Sequence, residues 1–98
     1  MIDTEDRLAH ALETAVDDIE FSLDAASVDF ETMTSPNTNQ YIIVYAEGER
    51  HAYVTAEMHA YGVPAAFVDI YSVNADGEES WGRGDMTVTE AIPYIIGA

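Results

Sequence analysis

Gln40-Tyr41-Ile42-Ile43-Val44-Tyr45-Ala46-Glu47-Gly48-Glu49-Arg50-His51-Ala52-Tyr53-Val54 is the stretch that decides the fold. Its first half is apolar throughout and rich in β-branched and aromatic residues, which reads as a central strand covered on both faces. Glu47-Gly48-Glu49 is short and carries the glycine that a tight reversal needs, so Arg50 to Val54 returns as the next strand. An antiparallel hairpin therefore sits at the middle of the chain, and its neighbours have to be read as what pairs with it or covers it.

Working back from the hairpin, Ser35-Pro36-Asn37-Thr38-Asn39 is turn chemistry, with Pro and Asn setting the dihedrals. Val28-Asp29-Phe30-Glu31-Thr32-Met33 alternates apolar and polar, the mark of a strand with one wet face. Before it the period is helical. Leu8, Leu12, Ala15, Val16, Ile19 and Leu23 fall within a ~100° arc, with Asp6, Glu13, Asp17, Glu20 and Asp24 opposite. Asp3 or Thr4 can cap this helix, and Glu5 and Asp6 suit the positive end of its dipole. Phe21 points off the apolar stripe, which places the helix end between Ile19 and Asp24.

Working forward, Thr55-Ala56-Glu57-Met58-His59-Ala60-Tyr61-Gly62 either extends the strand or forms one or two helical turns closed by Gly62. Pro64 opens another strand over Ala65 to Val73. Asn74-Ala75-Asp76-Gly77-Glu78-Glu79 is a turn, and Ser80 to Asp85 reads as a glycine-punctuated loop. Thr87-Val88-Thr89-Glu90 is a capping box that starts a last short helix running to about Ile96, limited by Pro93. The expectation for residues 1–98 is a single α+β domain. It is a two-layer sandwich with an N-terminal helix, an antiparallel meander of about four strands and a short C-terminal helix.

Composition bounds the setting. Nineteen acidic residues face three basic ones, all arginine (Arg7, Arg50, Arg83), for a formal net charge of −16 and no lysine. Self-repulsion on that scale disfavours the compact state in dilute buffer. At molar salt the screening length falls to about 3 Å and the penalty fades. Acidic surface, absent lysine and abundant alanine together read as adaptation to a salt-saturated cytoplasm, the haloarchaeal habit. The charge also argues against a nucleic-acid-binding surface, which needs clustered Lys and Arg. The acidic N-terminus does not look like a signal peptide, and no apolar run approaches a membrane span.

Few residues carry a chemical signature. His51 and His59, with Glu49 and Glu57, have ligand-type side chains but no metal-site spacing, and His10 lies on the acidic helix face. No metal or cofactor is expected. Paired carboxylates such as Asp17-Asp18 and Glu78-Glu79 are too abundant to single out an acid or base. Asp69, between Val68 and Ile70, shares a face with Phe67 and Tyr71, which suits an edge or interface better than catalysis. Asn74 to Gly77 lacks the ligand pattern of a calcium loop. No nucleophile is set beside an activating base, so no catalytic residue and no enzyme are expected. Trp81, two residues from Arg83 and four from Asp85, has the composition of an interface anchor, or else folds back over the sheet as a lid. With Arg50 and Asp69, these three complete the interface candidates.

The order of elements and several local patterns resemble the tail-completion or head–tail joining proteins of long-tailed viruses. The resemblance rests on the Tyr-led strand Tyr41-Ile42-Ile43-Val44-Tyr45, the pair Ala56-Glu57, and the strand Val68-Asp69-Ile70-Tyr71-Ser72. An acidic turn (Asp76 to Glu79) and a closing amphipathic segment (Met86 to Ile96) follow in order, so the likeness spans about residues 5 to 96. The chain departs from the family in its short last helix with Pro93, in Val28 to Met33, and in Ser80 to Asp85, which looks inserted. The resemblance implies a virion component of a virus of halophilic archaea, assembled in the host cytoplasm as a homo-oligomeric ring against neighbouring structural proteins. Two other classes stay open: a small cytosolic binding module with no viral role, and an acidic DNA mimic.

Overall fold

The computed structural model describes residues 4–34, 40–58 and 62–97. Helix α1 (Thr4–Ala25) leads into five strands, β1 (Phe30–Thr34), β2 (Gln40–Tyr45), β3 (Arg50–Met58), β4 (Pro64–Val73) and β5 (Glu79–Met86), and helix α2 (Val88–Ile95) closes the chain. The strands form one sheet in the order β1-β2-β3-β4-β5, with every neighbouring pair antiparallel. The fold is α+β, with one strand more than the alternation suggested.

The α1 stripe is the buried face: Leu12, Ala15, Val16, Ile19 and Leu23 are all 4% exposed or less. The helix runs past Phe21, which simply points outward and is 76% exposed, so the expectation that the helix stops near it is corrected. What ends the helix is backbone chemistry at Ser27, whose φ is +59°. The Val28 N–H donates to the Leu23 carbonyl at 2.9 Å and the Ser27 N–H to that of Asp24 at 3.0 Å. This pair of bonds is the Schellman motif, with serine where glycine is usual, and Val28 beside the core completes it.

Both helices pack on one face of the sheet. α1 lies over β3 and β4 and reaches β2, while α2 touches β4, β5 and α1. Their apolar groups meet Ile43, Tyr45, Ala52, Val54, Ala56, Val68, Ile70 and Met86 in one cluster. Pairing explains the set, because Ile43 opposes Ala52, Ala52 opposes Ile70, and Val54 opposes Val68. Thr32 of β1 donates its hydroxyl to Glu20 of α1 at 2.6 Å, which ties the edge strand to the helix. Four buried alanines (15, 52, 56 and 91) keep the core shallow, so the helices approach the sheet closely.

The reading of Gln40 to Ala46 as covered on both faces is corrected. Ile43 and Tyr45 are buried, but Ile42 and Val44 are only half-buried, on the face opposite the helices. The ambiguous segment from Thr55 extends β3 to Met58, while His59, Ala60 and Tyr61 lie outside the described residues. So do the Ser35 to Asn39 turn and the capping role suggested for Asp3. Pro64 begins β4 as expected.

The second correction concerns Ser80 to Asp85, which is strand and not loop. β5 slips register against β4 twice, between Val68 and Ile70 and between Ile70 and Tyr71. These bulges absorb the extra residues of β5 and twist an edge strand away from straight pairing. The glycines permit it: a Cβ on Gly82 would lie 2.9 Å from the Ile70 carbonyl oxygen. At the turn before β5, Asn74 Oδ1 accepts the N–H groups of Asp76 and Glu78, an Asx turn with Gly77 at φ +83°. Thr87 then caps α2 through a reciprocal box with Glu90. That contact, chiefly the Thr87 backbone N–H donating to the carboxylate, holds the Glu90 carboxyl below the usual range.

Candidate functional site: the uncovered face of the sheet

Strand alternation sends every second side chain away from the helices, and register lines these up as ribs across the sheet. One rib is Gln40, Thr55 and Phe67. The next is Met33, Ile42, Tyr53 and Asp69, and the third is Glu31, Val44, His51, Tyr71 and Trp81. No helix of the described residues lies over this face. Its middle is mainly apolar and aromatic, with the carboxylate of Asp69 beside Tyr53 and, among the described residues, no basic group other than His51. At its β5 edge Trp81 is 68% exposed, and at its β1 edge Met33 is 43% exposed.

The aromatic groups are held by each other and by one carboxylate. Tyr53 donates its hydroxyl to Glu79, with both carboxylate oxygens at 2.8 Å, and meets Tyr71 edge to face at 5.2 Å between centroids. Partial burial, reinforced by the Glu79 carboxylate and by Tyr71, pushes the Tyr53 phenol up to about 12. His51 stacks obliquely on Tyr53 at 6.4 Å. Its Nδ1 is enclosed without a hydrogen-bond partner, 3.8 Å from Glu79 Oε1. Gln40, Tyr53, Asp69, Tyr71 and Glu79 surround a shallow hollow of about 370 Å³.

At the β5 edge the structure brings together three of the residues nominated from sequence. Asp69 Oδ1 accepts the Asp85 backbone N–H at 2.9 Å, and Asp85 sits at φ +55°, a conformation unfavourable for a residue with a Cβ. Asp69 thus satisfies a donor that the bulge removes from the ladder. Trp81 lies across Gly84 beside this bond. A Cβ at Gly84 would stand 2.6 Å from Asp69 Oδ1 and 3.4 Å from the indole ring. We expect Gly84→Ala to cost about 1–3 kcal/mol, the range for overpacking a close contact. It should also shift tryptophan fluorescence, because the indole must move. Unchanged thermal stability at fixed molar salt would show that the bulge relaxes freely.

The other two nominees turn to the opposite side. Arg83 opposes Ile70, and its guanidinium carbon lies 5.8 Å from the centroid of the Tyr94 ring on α2. Arg50 opposes Ser72, on the helix-bearing face, at a cavity shared with Tyr45 and Tyr94. The expectation that Trp81 and Arg83 act together on one loop is therefore corrected: the bulges separate them to opposite faces. The His51–Tyr53–Tyr71 array was missed from sequence. Its signal was the alternation of His51, Tyr53 and Thr55, which marks one face but does not say whether anything covers it.

Among the described residues no three His, Asp or Glu side chains are grouped to hold a metal ion. His59, weighed with His51 as a ligand-type side chain and set aside for want of metal-site spacing, lies outside them. No helix of the described residues is long and apolar enough to cross a membrane. Compared with protein-family models, curated proteins and solved structures, the chain gives no match.

Proposed function

We propose that this chain is a non-enzymatic assembly protein that associates with copies of itself through the uncovered sheet face and the β5 edge, at high salt. The observation that carries the reading is the rib Val44-His51-Tyr71-Trp81, which crosses the sheet and ends in a largely exposed indole at an unpaired edge. Tyrosine and tryptophan are the residue types that dominate interface energetics, and charged groups are depleted at interface centres. Here the centre is aromatic apart from Asp69, whose Oδ1 accepts the Asp85 N–H, while most of the carboxylates lie on the exposed helix face and turns. Screening at molar salt removes the repulsion that would keep two such molecules apart.

In this reading the two-layer sandwich has a working division: the helices stabilise one side of the sheet and the other side is kept for contact. The role implied by the resemblance to tail-completion proteins is a subunit of a homo-oligomeric ring in a virion, placed against neighbouring structural proteins. A cytosolic binding module would use the same face but stop at a monomer or dimer. Neither role calls for a cofactor, a membrane or sequence-specific contact with nucleic acid. A DNA mimic is disfavoured because the carboxylates are spread over α1, the turns and both edges instead of lying in two rows.

The test is oligomeric state by light scattering after size exclusion in molar potassium chloride. Wild type is expected above the monomer mass, and Trp81→Ala with Tyr71→Ala is expected to return it to monomer with circular dichroism unchanged. Phe21→Ala, equally exposed but on the helix, should leave assembly intact. A closed ring supports the virion role. A double variant that assembles normally removes this face from the interface, and a monomeric wild type moves the reading to the binding module.

A further inference from the structure

We infer that the cavity between the β2–β3 turn and the end of α2 binds a small organic carboxylate with an apolar body, its charge taken by Arg50. The cavity is about 450 Å³ and is lined by Val28, Tyr45, Arg50, Tyr94, Ile95 and Ile96, with Ala46 and Gly97 at its rim. That size lies within the span of small-molecule sites, and the lining has their usual character, apolar walls with few polar groups.

The charge argument is specific to this chain. Arg50 is half-buried, and no carboxylate of a described residue lies within 4.0 Å of it. A partly desolvated guanidinium is costly without an anion, and its planar fork suits a carboxylate in particular. In a protein with nineteen acidic residues a partner would have been easy to supply, yet none of the lining residues is acidic. Arg83 stands over the Tyr94 ring, 5.8 Å from its centroid, but is not part of the lining and its charge acts on the Glu90 carboxylate, so Arg50 is the cation that the cavity itself presents. The charge of Arg50 is felt inside the cavity, where it acts on the Tyr45 phenol against the effect of burial, which dominates and pushes that group up to about 12.

The aliphatic side chains of Val28, Ile95 and Ile96 form the rest of the wall, so a bare inorganic anion would leave them unused. A ring or branched chain attached to the carboxylate would cover them. This site lies on the helix-bearing side of the sheet, apart from the aromatic face, and does not depend on the assembly reading.

The test is titration of the isotope-labelled full chain with benzoate and, separately, with its uncharged isostere benzamide, at constant molar potassium chloride. Amide shifts are read at Ala46, Ile95, Ile96 and Gly97. Benzoate is expected to saturate and to bind at least tenfold more tightly than benzamide. Arg50→Gln should abolish that preference, Arg50→Lys should recover part of it, and Arg7→Gln should leave it unchanged. Equal binding of the two probes to wild type, or no binding of benzoate, overturns the proposal without reference to any variant. Retained preference in a folded Arg50→Gln overturns the role of the arginine. Should benzoate bind only once the C-terminal carboxylate is amidated, the chain's own end fills the cavity and the proposal of a free ligand fails.

Discussion

Dialysed from molar salt to about 10 mM, where the Debye length reaches about 30 Å, the protein is expected to lose its native far-UV circular dichroism. The physical basis is now more specific than net charge. Among the described residues no charged one is buried, and Asp6, Glu13, Asp17, Asp18, Asp24, Glu47, Glu49 and Glu57 stand exposed around the molecule. Among the described residues the one ion pair is His51 with Glu79 at 3.8 Å, and it exists only when the histidine is protonated. The carboxylates are therefore opposed by solvent ions and by little else. Typical domain stability is only about 5–15 kcal/mol, and self-repulsion spread over a molecule with extents of 46 by 27 by 21 Å acts across its whole surface once screening is lost. The transition should reverse on returning salt, and potassium chloride should restore it without any specific ion. A native spectrum held throughout the dialysis would sink the reading of the chain as adapted to high salt.

Leu12→Ala is expected to cost about 2–5 kcal/mol, measured by denaturant unfolding at fixed molar salt. Leu12 is 4% exposed and belongs to the cluster that joins α1 to β3 and β4. The cluster that holds Leu12 contains four buried alanines, side chains too short to refill the space that the leucine leaves, which places the expected cost toward the upper part of the range. Glu13→Ala, one residue on and exposed, should change stability by less than about 0.5 kcal/mol and should lower the salt needed for folding, since it removes one negative charge. Equal losses from the two substitutions would contradict the helical face drawn here.

How much of this was legible in the sequence depends on whether a signal is local. The α1 stripe, the capping box of Thr87 and Glu90 and the turn at Asn74 are each decided within a few residues and appear as read, and the first strand appears two residues later than its alternation suggested, at Phe30–Thr34. The charge that governs solution behaviour is likewise a property of composition alone. The candidate site is legible only in part. Alternation places Asp69 on one face with Tyr71 because both stand on the same strand, but Trp81 reads as a loop residue and nothing joins His51 and Tyr53 to them, because the pairing that brings them together is between strands.

What the sequence by itself determined is the two helices, the β2–β3 hairpin and the strand after Pro64, and which side chains share a face of α1 and of the strands it marked. Tertiary structure decided which faces are covered. Ile42 and Val44 are as apolar as Ile43, yet both helices pack on one side, so the same strand has a buried and an open face. It also decided the state of Ser80 to Asp85. The free edge of β4 offers hydrogen bonds that a glycine-rich segment can take up, and two bulges let the longer segment fit. Those bulges turn Arg83 toward Tyr94 and leave Trp81 on the open face. Neighbours in sequence are thus parted because pairing with β4, and not spacing along the chain, sets the direction of each side chain.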